Sequence, residues 1–215
     1  MKVFVVGANG QIGKQLVHML YKSDNFSVRA MVRKQEQADA FQTEGIEAVV
    51  ADLEGTVDEI VQAAKGCDAI VFTAGSGGHT GADKTLLVDL DGAVKTIEAA
   101  QQLGVERFVM VSAFQANNRE NWNEKIRHYY VAKHYADRIL LDSGLNYTIV
   151  RPGGLTNDAG TGKVTIGEKL TERSTIARED VARVVFEALQ EENTFKKSFD
   201  LVQGNVDIAE ALKKV

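Results

Sequence analysis

One cysteine, one proline and one tryptophan are all that the 215 residues contain of these types, and the scarcity of thiol already removes whole classes of protein. Cys67, alone, can form neither an intramolecular disulfide nor a thiolate metal cluster, which points to a reducing cytoplasm. A small core hydrophobe is its expected role. Basic residues do not outnumber acidic ones: 25 Lys and Arg stand against 30 Asp and Glu, for a formal charge of −5. That balance argues against nucleic-acid binding through a broad basic surface. No apolar run is long enough to cross a bilayer, and the apolar part of MKVFVVGANG is too short for a signal peptide's hydrophobic region. What remains is ordinary for a folded soluble chain, with 44% hydrophobic and 26% charged residues. A chain of this length can bury one substantial core, so residues 1–215 are expected to form a single cytoplasmic domain.

Short β-branched runs alternate with longer segments of helical period. VFVV at 3–6, SVRAMV at 27–32, EAVVA at 47–51, AIVFT at 69–73, RFVMV at 107–111 and YTIV at 147–150 predict strands. The continuous apolar runs among them suit parallel strands buried on both faces. Helical spacing between them, as in Ile12, Leu16, Met19 and Leu20, predicts βαβ crossovers and a doubly wound α/β sheet with helices on both faces. Gly66 and Gly104 sit where left-handed residues would stop helices. After Pro152 the pattern loosens into GGLTNDAGTGKVTIGEKL, so 153–177 is expected to be an irregular excursion with a short hairpin. SFDLV at 198–202 predicts a last strand, and DIAEALKKV a last short helix.

The first strand runs straight into GANGQIG, that is Gly7, Ala8, Asn9, Gly10, Gln11, Ile12 and Gly13, which also opens the first helix. Glycines there permit a tight turn and a close approach of backbone to a pyrophosphate, while helix N-terminal amides supply donors and a positive dipole end. A glycine triplet alone could be a mere turn; strand before and helix after supply the context of a dinucleotide site. In such a site the end of the second strand meets the adenosine ribose, where an acid selects NAD. Here that place holds Arg33 and Lys34, whose charge suits the 2′-phosphate of NADP, with NAD as the alternative. Asp52 and Leu53 end the third strand, where they could touch adenine, although Asp52 could equally cap the next helix. Thr73, Ala74 and Gly75 end the fourth, where small residues let backbone pass close to a cofactor.

With that loop, the basic second-strand end, Ser112 after RFVMV, Tyr129 and Lys133 in HYYVAKHY, and Pro152 in IVRPG, the chain resembles the short-chain dehydrogenase/reductase superfamily. More narrowly it is similar to the atypical, NmrA-like or NAD(P)H-binding branch related to nucleotide-sugar epimerases and dehydratases. The resemblance covers essentially the whole chain. It implies a Rossmann-like fold and matches the family's tyrosine, lysine and serine to Tyr129, Lys133 and Ser112. Where the superfamily often has an asparagine in its central helix, this chain has Asp89.

Tyr129 and Lys133 are four residues apart and so share a helix face. The ammonium would favour the phenolate and lower the tyrosine pKa, letting Tyr129 give or take a proton while Ser112 polarises a carbonyl. A tyrosine four residues before a lysine is common by chance; its position after the fifth strand carries the reading. His128 and His134 lack a carboxylate or cysteine at metal-ligand spacing and are expected at the surface, with no metal site. Residues 114–128, with Trp122 as their one large apolar group, and the excursion would frame a pocket for an unidentified small molecule. The expected activity is NADP-dependent hydride transfer to or from a small carbonyl or alcohol. A non-catalytic redox sensor that engages a protein partner, and an NAD-recycling epimerase or dehydratase, stay open beside it.

Overall fold

The computed structural model describes all residues, Met1–Val215. Five parallel strands form its spine: β1 (Lys2–Val6), β2 (Ser27–Val32), β3 (Glu47–Val50), β4 (Ala69–Phe72) and β5 (Arg107–Val111). Between them run α1 (Gln11–Tyr21), α2 (Gln35–Thr43), α3 (Val57–Ala64) and a longer helical segment. That segment starts as α4 (Ala82–Lys84), widens into a π-helical stretch over Thr85–Asp91 and continues as α5 (Gly92–Leu103). α6 (Arg127–Asp142) leads to β6 (Asn146–Pro152), and after the excursion come α7 (Arg178–Ala188) and β10 (Lys197–Gln203). The chain closes with β11 (Val206–Asp207) and α8 (Ile208–Leu212).

The main sheet has nine strands in the order β11-β8-β10-β6-β5-β4-β1-β2-β3, where β8 is Lys163–Gly167. The stretch from β10 to β3 is wholly parallel, as the apolar runs predict. Its pleat sorts the core. Val3 and Val5 of β1 meet Leu16, Val17 and Leu20 of α1 and Val181 and Val185 of α7 on one face. Phe4 and Val6 meet Ile60 of α3, Ile97 of α5 and Leu140 of α6 on the other. Two-residue alternation thus feeds two separate hydrophobic layers, each sealed by helices whose own apolar stripes repeat at three and four. Cys67 lies in the second layer, where burial pushes its thiol up and keeps it unreactive.

Helix boundaries follow local chemistry. Thr56 accepts from the amide of Glu59 while the Glu59 carboxylate accepts from that of Thr56, a reciprocal cap that starts α3. Gly104 closes α5 at φ 67, and Gly66 follows α3 at φ +80, both left-handed as expected. The excursion differs from expectation: it contains no hairpin of its own. β7 (Gly154–Thr156) pairs in parallel with β9 (Thr175–Ala177), while β8 crosses to the main sheet and runs antiparallel to β10. The segment's few apolar residues, such as Val164 and Ile176, bury against the main core, which is why its strands seek outside partners. No helix is long and apolar enough to cross a membrane.

Beneath the excursion lies a fully buried charge cluster. Arg151 of β6 donates from Nε to Asp137 Oδ2 of α6 at 2.9 Å, both side chains being almost inaccessible. Arg151 is also the register partner of Asp200 on β10, whose carboxylate accepts the amides of Gln115 and Leu170, each at 3.0 Å. Removing one member of a buried ion pair strands its partner. Asp137→Ala is therefore expected to cost roughly 3–5 kcal/mol of unfolding free energy in urea titration, and a loss below about 1 kcal/mol would show the pair to be dispensable.

Candidate functional site

All the parallel strands deliver their carboxyl ends to one edge, and the strand order reverses between β1 and β4, which is where such sheets bind ligands. A cavity of about 760 Å³ lies there. Its rear wall is the turn after β1. Gly7 has φ +82, and a Cβ on it would come within 2.6 Å of the Ala74 nitrogen; a Cβ on Gly13 would sit 2.2 Å from the Gly7 carbonyl oxygen. These two glycines let turn, helix and β4 close on one another. Gly10 plays the other part, as the residue immediately before α1, its own amide bonded to the Gly7 carbonyl at 2.9 Å. The following amides, of Gln11, Ile12 and Gly13, begin the helix and have no earlier helical carbonyl to meet, so they form an anion-binding end.

The structure divides the expected cofactor residues. Gly7, Asn9, Gly10, Gln11, Ile12, Arg33, Asp52, Leu53, Thr73, Ala74 and Gly75 line the cavity. Ala8 and Gly13 are buried behind it in the helix–sheet packing. Lys34 does not reach it, its ammonium lying 3.3 Å from Glu36. Arg33 is exposed and forms no ion pair, so the basic pair resolves into one arginine facing the cavity and one lysine occupied elsewhere. Asp52 is not the helix cap, a part Thr56 takes; its carboxylate instead accepts the Glu54 amide at 2.9 Å and shapes the turn. Thr73 Oγ1 donates to the Val6 carbonyl at 2.9 Å, pinning the ends of β4 and β1 together. Pro152 contributes no lining atom; its carbonyl accepts the Phe114 amide at 3.0 Å and so fixes the strand beside Ser112.

Ser112, Tyr129 and Lys133 converge on the opposite wall of the same cavity. Ser112 is 3% exposed, and its hydroxyl has no hydrogen-bond partner in the protein. A buried hydroxyl at a cavity wall without a protein partner is open to a water or to a ligand's acceptor. Lys133 is 2% exposed, donates to the Val111 carbonyl at 2.9 Å and lies 5.7 Å over the Phe72 ring. Burial lowers its pKa, and Asp89 then Asp137 oppose that fall. Tyr129 runs against expectation: burial raises its phenol above the ordinary value of 10.0, and Asp89, Tyr130 and Asp137 push the same way. The lysine does not win over desolvation and acid neighbours, so the resting phenol keeps its proton.

The remaining aromatics of α6 do other work. Tyr130 stacks on Trp122 at 6.0 Å between centroids, and His134 meets the Trp122 edge at 5.4 Å. His134 is therefore buried, not at the surface, with Nδ1 2.9 Å from the Ala116 carbonyl. The same packing turns Trp122 away from the pocket wall, which Lys125, Ile126 and His128 provide instead. Tyr135 is exposed against Arg119.

Asp89 is the residue whose weight sequence reasoning missed. It is 1% exposed, sits in the π-helical stretch, accepts the Ser76 amide at 3.0 Å and lines the cavity. An acid inside the apolar run LLVDLDGAV was the available signal. Arg178, which also lines the cavity, carried none.

A family model described as NAD(P)H-binding matches residues 7–192, from the glycine turn through α7. The chain belongs to this NAD(P)H-binding family. A Bacillus subtilis relative, described as the uncharacterized sugar epimerase YhfK, is 61% identical over 215 residues, covering 100% of both chains. A Bacillus halodurans structure, provisionally named an NAD-dependent epimerase/dehydratase, is 43% identical with a TM-score of 0.94 over 100% of both chains. A Lactococcus lactis structure named the oxidoreductase ylbE is 34% identical with a TM-score of 0.90, over 100% of this chain and 96% of its own. Fold and family thus bear out the resemblance to the atypical short-chain dehydrogenase/reductase branch.

Removing the Asp89 charge while keeping its hydrogen-bonding shape should release part of the pressure on both neighbours. In Asp89→Asn the titrations of Tyr129 and Lys133 are expected to move to lower pH, followed by NMR of ring-labelled tyrosine and side-chain-labelled lysine. Unmoved titrations would show that Asp89 is electrically remote.

Proposed function

We propose that the protein is an NADP(H)-dependent oxidoreductase that reduces a small carbonyl compound. The observation that carries this is one cavity lined at once by the glycine turn, by Arg33, and by Ser112, Tyr129 and Lys133. Its walls suit a dinucleotide: free helix amides, a close glycine cradle and an unsatisfied buried hydroxyl. Arg33 is the group that would meet a 2′-phosphate, since the nearest acid along the chain, Glu36, is paired with Lys34.

The reduced nicotinamide, when bound, supplies a hydride to the carbonyl carbon. Ser112 Oγ donates a hydrogen bond to the carbonyl oxygen and polarises it. Tyr129 OH gives its proton to that oxygen as negative charge develops, so carbon gains hydride, oxygen gains a proton, and an alcohol results. Lys133, anchored at the Val111 carbonyl, fixes the cavity wall one helical turn from Tyr129. Burial keeps the phenol protonated, which is the form a reduction needs at its outset.

Oxidation of NADPH against a panel of small carbonyls and quinones is expected to show turnover, and Tyr129→Phe to lower kcat by about 10²–10⁴-fold while NADP+ affinity stays within about twofold. Undiminished turnover in Tyr129→Phe would sink the acid role. Reductive kcat should lose no activity to Tyr129 ionisation below pH 10.0, because the protonated form is the active one and its pKa lies above that value. For Arg33→Ala, titrations should show NADP+ weakened about tenfold or more, on the scale of one lost charge-assisted contact, and NAD+ little changed. Equal losses would remove the 2′-phosphate role.

The names of the Bacillus relatives favour a second reading, an epimerase or dehydratase that recycles tightly held NAD. NAD found bound in the purified protein would decide for it.

A further inference from the structure

Two hollows meet at the glycine turn. Beside the 760 Å³ cavity lies a more open groove of about 880 Å³ along the outer side of α1, and Asn9, Gly10 and Gln11 line both. The one other residue common to both is Arg178. Arg178 thus stands at the rim of the turn whose amides await an anion, although it comes from the far end of the chain.

Its position is built by the excursion. α7 packs beside α1, and Arg178 is its first residue, directly after β9. One guanidinium nitrogen donates to Asn157 Oδ1 at 2.7 Å, and Asn157 directly follows β7, the strand paired with β9. The remaining guanidinium donors have no acceptor in the protein. The neighbouring acids are occupied elsewhere. Glu179 accepts the Gly160 amide at 2.8 Å and pairs with Arg183 at 2.5 Å. Asp180 accepts the amides of Thr161 and Gly162, each at 2.8 Å. Asp158, in the outer groove, forms no ion pair with Arg178. A half-buried cation, tethered at one nitrogen and free at the others, is therefore held at the one place where a dianion must lie if the helix amides bind it.

We propose that Arg178 binds the pyrophosphate of the dinucleotide from the excursion side, opposite the amides at the start of α1. This rests on the NAD(P)H-binding reading and adds to it a residue outside the glycine turn. Through Asn157 the same contact ties β7, at the mouth of the cavity, to the occupied state. Cofactor binding would then order part of the wall that receives the substrate.

The test is calorimetric titration of the full chain with NADP+, NAD+ and adenosine 2′-monophosphate, which lacks the pyrophosphate, alongside amide hydrogen exchange of residues 154–158. Arg178→Ala is expected to weaken the dinucleotides about tenfold and adenosine 2′-monophosphate less than twofold, with Arg178→Lys between Ala and parent. NADP+ should slow exchange at 154–158 in the parent and in Arg178→Lys, but not in Arg178→Ala. Asn157→Ala, which keeps the guanidinium, should lose affinity by about threefold or less while losing the exchange protection. Dinucleotide affinity unchanged in Arg178→Ala, or equal weakening of all three ligands, would overturn the proposal and leave the cofactor reading intact. A parent protein that binds neither dinucleotide would overturn both.

Discussion

Arg151, buried in an ion pair with Asp137 and level with Asp200 on the next strand, is the group around which the rest of the site is anchored. Asp137 belongs to α6, the helix that carries Tyr129 and Lys133, while Asp200 holds the amides of Gln115 and Leu170. One cation on β6 thus ties down the helix bearing the candidate acid, while the carboxylate level with it on β10 anchors two loops. The arrangement is costly. Burial raises Asp200, which its two amide donors and Arg151 only partly offset, while Asp137 Oδ1 and Arg151 Nη1 find no partner. Apolar residues of like volume could hold these elements together with less desolvation. What charge adds is direction, because a carboxylate that accepts two specified amides fixes loop backbone in a way that dispersion contacts do not.

The opposite wall is organised by absence of side chains. Gly7 and Gly13 exist so that turn, α1 and β4 can interpenetrate to distances that any Cβ would forbid. That closeness leaves the first-turn amides of α1 at the cavity wall. The two walls are thus held by different physics: steric permission at the glycine turn, buried electrostatics behind the wall of Ser112, Tyr129 and Lys133. Between them the sheet supplies a rigid common edge, since every parallel strand ends there.

The legible part of this protein was whatever depends on local period and position. Strand runs, helix stops at Gly66 and Gly104, and the turn from Gly7 to Gly13 are written in nearest neighbours, and the parallel order follows once crossovers are recognised. Residues brought together by tertiary packing were less visible. His134 looked like a surface residue because its partners, Trp122 and the Ala116 carbonyl, come from a loop with no periodic signature. Lys34 looked equivalent to Arg33 because sequence does not say which of two adjacent side chains meets a cavity and which meets Glu36. The excursion's pairing was hidden for the same reason: β7 and β9 are 18 residues apart between their ends at Thr156 and Thr175 and are joined by a strand that belongs to another sheet.

The most instructive discrepancy concerns Tyr129. Four-residue spacing to Lys133 suggested a phenol made acidic by its ammonium, yet the lysine is itself desolvated and turned to the Val111 carbonyl, while the charges acting on the tyrosine are those of Asp89 and Asp137. Spacing on a helix establishes that two groups share a face; it does not establish that their charges face each other. In this site the acids sustain the protonated forms of both Tyr129 and Lys133, and low dielectric makes the phenol hold its proton until negative charge develops beside it. A protonated phenol is the form that the proposed carbonyl reduction needs at its outset. Asp89, standing where the superfamily often has a neutral asparagine, adds its charge to the burial that keeps Tyr129 protonated.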